Sequence, residues 1–102
     1  MTNVRLTVAA LLVMAGNMHH ADAADSRSEA LADACTSCHG IDGKSRGYIP
    51  SLDKLSRAEF VQAMADFRSQ KRTATVMNRI SRAYSAEEAA LLADYFTAGG
   101  GR

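Results

Sequence analysis

Tryptophan is absent from this 102-residue sequence, proline occurs once, as Pro50, and cysteine twice, as Cys35 and Cys38. Two cysteines exclude the multi-disulfide scaffold that holds many small secreted domains together. One proline and seven glycines exclude collagen-like and proline-rich low-complexity chains. No stretch alternates apolar and polar residues as a half-buried strand does, and no segment repeats. Neither sign of charge dominates: 12 Lys and Arg stand against 11 Asp and Glu, for a formal net charge of +1. A global attraction to nucleic acid is thereby excluded. The longest apolar run, Leu6 to Gly16, is well short of the 20 or so residues a spanning helix needs.

That run is the middle of an N-terminal leader. Arg5 supplies a positive start, the apolar stretch follows, and "ADA" closes it with small residues at Ala21 and Ala23. This is the layout of a secretory signal, expected to be cut after Ala23 or, next best, Ala24. A membrane anchor is the competing reading, and the shortness of the run argues against it. Residues 1–23 are therefore read as a cleaved signal peptide and 24–102 as one domain, exported to the periplasm. Cleavage removes His19 and His20, which otherwise imitate a metal-binding pair, together with Met1, Met14 and Met18. What remains is one histidine, His39, the two cysteines, and two methionines, Met64 and Met77. Loss of 23 of the 102 residues leaves 79, a length at which an apolar core alone seldom stabilises a fold. With six aromatic residues and no tryptophan, apolar bulk has to come from elsewhere.

Residues 35–39 read "CTSCH". Four chemistries use cysteines at this spacing. A disulfide is the common fate of paired cysteines in exported chains, but three-residue spacing suits redox dithiols more than structural staples. A thioredoxin-like dithiol needs a βαβ frame, and none is visible. A zinc site needs four ligands, and after cleavage there is neither a second histidine nor a third cysteine. The fourth is the C-x-x-C-H attachment signature of a c-type haem. Two thiols three apart on a helical turn face the same way, so each can form a thioether to one haem, and His39 presents its ring to the iron. The macrocycle then supplies the missing apolar bulk.

For the other face of the iron, Met64, Met77, a lysine, water or no ligand remain. Met64 lies in "SRAEFVQAMADFRS", where Phe60, Met64 and Phe67 form one apolar helical stripe, and a methionine on such a stripe reads as core filler. Met77 follows a polar, threonine-bearing segment, at a loop edge from which a thioether reaches outward more easily. The segments around it predict an all-α fold of three main helices plus a short turn. The first helix runs from Ser26 to Cys38, with Ala30, Leu31 and Ala34 as its apolar residues. A Gly- and Pro-bearing loop follows. The second helix opens on the Ser56–Glu59 capping box and fades near Ser69. A short turn covers Val76 to Arg82. The last helix opens on a second box, Ser85–Glu88, points Ala89, Leu92, Tyr95 and Phe96 inward, and ends at "GGGR".

"ACTSCHGIDGKS", "YIPSL" and "VMNRISRAYSAEEAALLADYF" together resemble the small class I cytochromes c across nearly all of residues 24–102. The likeness extends to the haem proteins that partner a flavoprotein in flavocytochrome c sulfide dehydrogenase. The resemblance implies one covalent haem c on Cys35 and Cys38, His39 as proximal and Met77 as distal iron ligand, and the Pro50 carbonyl accepting the second ring N–H of His39. It also implies that the first and last helices cross near Leu31 and Tyr95. Two positions depart from the pattern: Ala83 stands where a glycine is common before the tyrosine, and Asp53-Lys54 where Ala-Gly is common after "PSL".

The implied function is periplasmic one-electron transfer, as the haem subunit of a sulfide-oxidising flavoprotein or as a free carrier to an oxidase or reductase. A haem sensor or catalyst with a displaceable sixth ligand is the alternative of a different class, and a haem-free Cys/His module is a third. By itself the chain is an electron carrier without a catalytic residue. Arg68, Lys71, Arg72, Arg79 and Arg82 bracket Met77 and read equally as a surface that steers an acidic partner or as a solvated face, some pairing with haem propionates. Tyr48 and Tyr84 are read as packing residues rather than propionate donors, and Glu87 and Glu88 as first-turn helix acids. A haem stain on a denaturing gel is expected to be positive for the secreted chain and negative for a Cys35→Ala/Cys38→Ala variant. Signal that disappears from the native chain on denaturation excludes the thioethers.

Overall fold

The computed structural model describes residues 18–97; the apolar leader run and the closing GGGR stretch lie outside them. Among the described residues there are four helices: α1 Met18–His39, α2 Arg57–Arg68, the one-turn α3 Met77–Ile80, and α4 Ala86–Phe96. Tight 3-10 turns at Ile41–Gly43 and Ser81–Ala83 bridge them, and no strand occurs among the described residues. The all-α expectation matches this arrangement.

Two serines start two helices. Ser56 accepts from Glu59 N–H at 3.1 Å while Glu59 Oε2 accepts from Ser56 N–H at 2.7 Å, a complete capping box. Those bonds hold the Glu59 carboxyl below its ordinary range, because they stabilise its charged form. Ser85 likewise accepts from Glu88 N–H at 3.1 Å, but the Glu88 carboxylate takes its bond from the Ser85 hydroxyl, at 3.2 Å, rather than returning to the backbone. At the far end of α4, Thr97 donates its hydroxyl to the Ala93 carbonyl at 2.6 Å and so closes the helix with a side chain.

α1 is longer than the sequence suggests. The chain is already helical at Met18, the first described residue, well before Ser26, and the helix runs without a break through the expected cleavage point. The stretch between is rich in alanine, the best helix former, and contains no breaker. Its serines do not cap: Ser28 donates to the Ala24 carbonyl one turn back, at 2.9 Å. The buried face of α1 also differs. Ser28 and Ala32 are buried and Leu31 and Cys35 half-buried, whereas Ala30 and Ala34 are exposed. Positions 28, 32 and 35 share one face at helical spacing, and an alanine-rich helix offers too little contrast in side-chain size to mark that face from sequence.

The core gathers Ala32 of α1, Phe60 and Met64 of α2, and Ala89, Leu92, Ala93 and Phe96 of α4. α4 is its hub, packing on both α1 and α2. Phe96 stacks on Phe60 with centroids 6.2 Å apart and meets Tyr95 edge-on at 4.9 Å. Tyr95 is half-buried rather than inward; the interior position is taken by Ala93. Leu31 and Tyr95, the residues expected at the crossing of first and last helices, both pack against this core. An Arg57–Asp94 ion pair at 2.6 Å ties α2 to α4 across the surface, and being half exposed it is worth about 1 kcal/mol or less. Leu92 is fully buried, so Leu92→Ala is expected to cost about 3 kcal/mol in chemical denaturation, within the usual cavity-forming range.

Candidate functional site

The last turn of α1 carries Cys35, Cys38 and His39. Cys35 faces inward and packs against the core, and Cys38 is exposed. Both are free thiols, so the paired-disulfide reading is not the arrangement this backbone holds. Burial pushes the Cys35 thiol above its ordinary value, since a thiolate loses solvation there. Among the described residues no group of three or more His, Cys, Asp or Glu stands together as a cage for a metal ion.

Immediately after His39 the chain reverses. Gly40 has φ +88°, and a Cβ there would lie 2.1 Å from the Lys44 carbonyl oxygen. Gly43, at φ +72°, closes the turn, and its carbonyl accepts from Leu52 N–H at 2.8 Å. Ser51 Oγ accepts from Ser45 N–H at 3.0 Å. These bonds fold the 44–52 loop back on the helix end, and the Pro50 carbonyl arrives 2.6 Å from His39 Nδ1. A carbonyl accepts and cannot donate, so Nδ1 carries the proton and Nε2 keeps its lone pair for a metal. An open cleft of about 770 Å³ lies between the Cys38 side of α1 and this loop.

Met77 is the first residue of α3, half-buried, and packs at the edge of the core as Cys35 does. Met64 is buried within the core itself, in keeping with its reading as filler. Tyr84 is half-buried too; burial first, then the proximity of Cys35 and of Glu88, raises its hydroxyl above the ordinary range. Its carbonyl accepts from Arg68 at 2.8 Å, pinning the 81–85 segment to the end of α2. Tyr48 is fully exposed, and protein atoms do not supply the packing expected of it, because the 44–49 loop rests on backbone bonds rather than on the core. Gly40 escaped the sequence reading as a positioning residue; the G-x-x-G spacing right after His39 was the available signal.

A 43% identity over 72 residues links the chain to a protein of Chlorobaculum tepidum named cytochrome subunit of sulfide dehydrogenase. The alignment covers 71% of this chain and 66% of that one, so this chain spans about two thirds of its relative's length. No family model matches. The chain belongs to the c-type cytochromes. Its all-helical architecture is that of the class I fold, and membership supports a haem-based electron-transfer role.

The donor set fits a haem. Two thiols on one helical turn, a histidine whose free nitrogen is Nε2, and a methionine thioether are the ligand types such a group takes. Around them Ile49, Val76 and Ile80 leave 43%, 52% and 40% of their surface uncovered, apolar area suited to the face of a macrocycle. On the Met77 turn, Asn78 Oδ1 and Ser81 Oγ are buried with no partner among the described residues, as are few groups in a complete native structure.

Gly40→Ala is expected to displace the loop that delivers Pro50, through the clash with Lys44 and the left-handed φ. Stability measured by denaturant should fall by about 3 kcal/mol, with reduced haem incorporation. Gly47→Ala, with nothing near its Cβ, should be tolerated.

Proposed function

We propose that this chain carries single electrons in the periplasm through one haem, thioether-linked at Cys35 and Cys38 and ligated by His39 and Met77, as the cytochrome subunit of a sulfide-oxidising flavoprotein complex. A haem bound here supplies a one-electron Fe(III)/Fe(II) couple, which a neutral thioether ligand biases toward the ferrous side.

The observation that carries the reading is the 2.6 Å approach of His39 Nδ1 to the Pro50 carbonyl. Second-shell bonds of this kind fix which nitrogen a ligating histidine offers and in which plane its ring lies. Each of the other residues has a separable duty. Cys35 and Cys38 tether, and because they sit on a helix whose face reaches the core, the tether is stiff. Met77 closes the opposite side from its own short helix. A haem held by both His39 and Met77 would offer no ready place for a substrate, which would suit transfer of electrons rather than bond-making.

Export is supported by the charged, apolar and small-residue sequence of 1–23, and no helix among the described residues is long and apolar enough to cross a membrane. Cleavage after Ala23 trims residues 18–23 from α1 and leaves 24–39, including Leu31, Ala32 and Cys35, which pack on the core. The flavoprotein partner is supported by what the Chlorobaculum relative is named for.

Met77→Ala decides the sixth ligand. The Met–Fe(III) charge-transfer band should vanish, carbon monoxide should bind, and the potential should drop by on the order of 0.2 V. A wild-type protein that already binds carbon monoxide and lacks the band overturns His/Met ligation. Purification from its native periplasm should bring down a flavin-containing partner; a flavin-free monomer overturns the subunit role.

A further inference from the structure

A small cavity of about 90 Å³ lies where the end of α2, the Ser81–Ala83 turn and the start of α4 meet. Met64, Ser81 and Ala89, all buried, line its inner part, and Ala65, Arg68 and Ser85, all exposed, line its mouth. Cys35, Cys38, His39 and Met77 do not line it, which sets it apart from the site described above.

Its inner wall is apolar except at one point. Ser81 is 1% exposed, and its Oγ has no hydrogen-bond partner among the described residues. Buried hydroxyls in native proteins are nearly always partnered, by protein or by ordered water, because a dry one forfeits its hydration. The usual protein partner of a serine in a helical turn is the carbonyl four residues back. Here that is the Met77 carbonyl, which accepts from the Ser81 N–H instead. The hydroxyl therefore has the cavity to turn to. A water needs about 15 Å³ of such space and at least two polar neighbours. Ser81 Oγ is one. The Arg68 guanidinium is the other: it gives one N–H to the Tyr84 carbonyl, at 2.8 Å, and has further N–H groups to offer.

We propose that this cavity binds one ordered water, bridged between Ser81 Oγ and the Arg68 guanidinium, and that the water braces the Met77 turn against α2. Arg68 is the last residue of α2, and Ser81 directly follows α3. A bridge between them ties the four-residue α3 to a helix docked on the core. A small apolar guest would leave the hydroxyl unpaired, so water is the occupant the chemistry favours. The inference rests on neither the haem nor a flavoprotein partner.

The test uses isotope-labelled mature holoprotein. Rotating-frame water–protein spectra should show a direct cross-peak between a long-lived water and the methyl group of Ala89, which is buried and lines the cavity. Ser81→Ala should abolish that cross-peak and speed amide exchange at residues 77–81 by about fivefold, as expected for one net hydrogen bond lost. Ser81→Thr keeps the hydroxyl and should keep both properties. Xenon should shift the Ala89 methyl in the Ser81→Ala variant, whose cavity is dry, and not in the wild type. Slower or unchanged exchange in Ser81→Ala means that the hydroxyl held no partner, and overturns the proposal. So does a cross-peak that survives Ser81→Ala, or xenon uptake by the wild type. A crystal structure of the holoprotein with Ser81 Oγ bonded to a haem propionate, rather than to water, overturns it too.

Discussion

One hydrogen bond, from His39 Nδ1 to the Pro50 carbonyl, ties the end of a helix to a loop eleven residues away. Its distance constrains three things together. It sets the tautomer of the one histidine that remains after the leader. It holds the imidazole plane against a helix already anchored in the core. It also gives the 44–52 loop a fixed end, which that loop otherwise lacks, since its large side chains Tyr48 and Ile49 find no place in the interior. The backbone bonds at Gly40, Gly43 and Leu52 serve this one approach.

The core and the site divide the work. The core is small and centred on α4, with Phe60, Met64, Leu92 and Phe96 contributing most of its buried bulk. Its alanines, Ala32, Ala89 and Ala93, let helices come close but bring little apolar area of their own. The large hydrophobic residues that remain exposed, Ile41, Tyr48, Ile49, Val76 and Ile80, lie in sequence within three residues of His39, Pro50 or Met77. A core this small leaves larger apolar side chains uncovered, and apolar area left in water contributes nothing to stability.

Helix starts were legible because capping is local chemistry. Ser56 and Ser85, each three residues ahead of a glutamate, mark α2 and α4 without any knowledge of tertiary contacts. The clustering of Cys35, Cys38 and His39 was legible because their spacing places all three on one helical turn. The face of α1 was not legible. Alanine marks neither side: Ala23, Ala24, Ala30 and Ala34 are exposed while Ala32 is buried, and the contrast that periodicity needs is missing. The start of α1 escaped for a related reason: Ser26 looks like a cap, but nothing before it stops a helix. Tyr95 was expected inward and is only partly buried, at the edge of the core, while the neighbouring small Ala93 is fully buried. The turn at Gly40 depends on an approach to the Lys44 carbonyl that spacing alone does not encode.

The two flanks of the site are unequally built. On one, Cys35, Cys38 and His39 belong to a helix of 22 residues. On the other, Met77 belongs to a helix of four with no side-chain cap at its start. A short, uncapped helix opens at lower free energy than a long one docked on a core. Rigidity is thus asymmetric across the centre: the cysteine flank acts as a fixed jaw and the methionine flank as its latch. Partial opening begins at the latch, so amide protons near Val76–Ile80 should exchange with solvent well before those of residues 31–38.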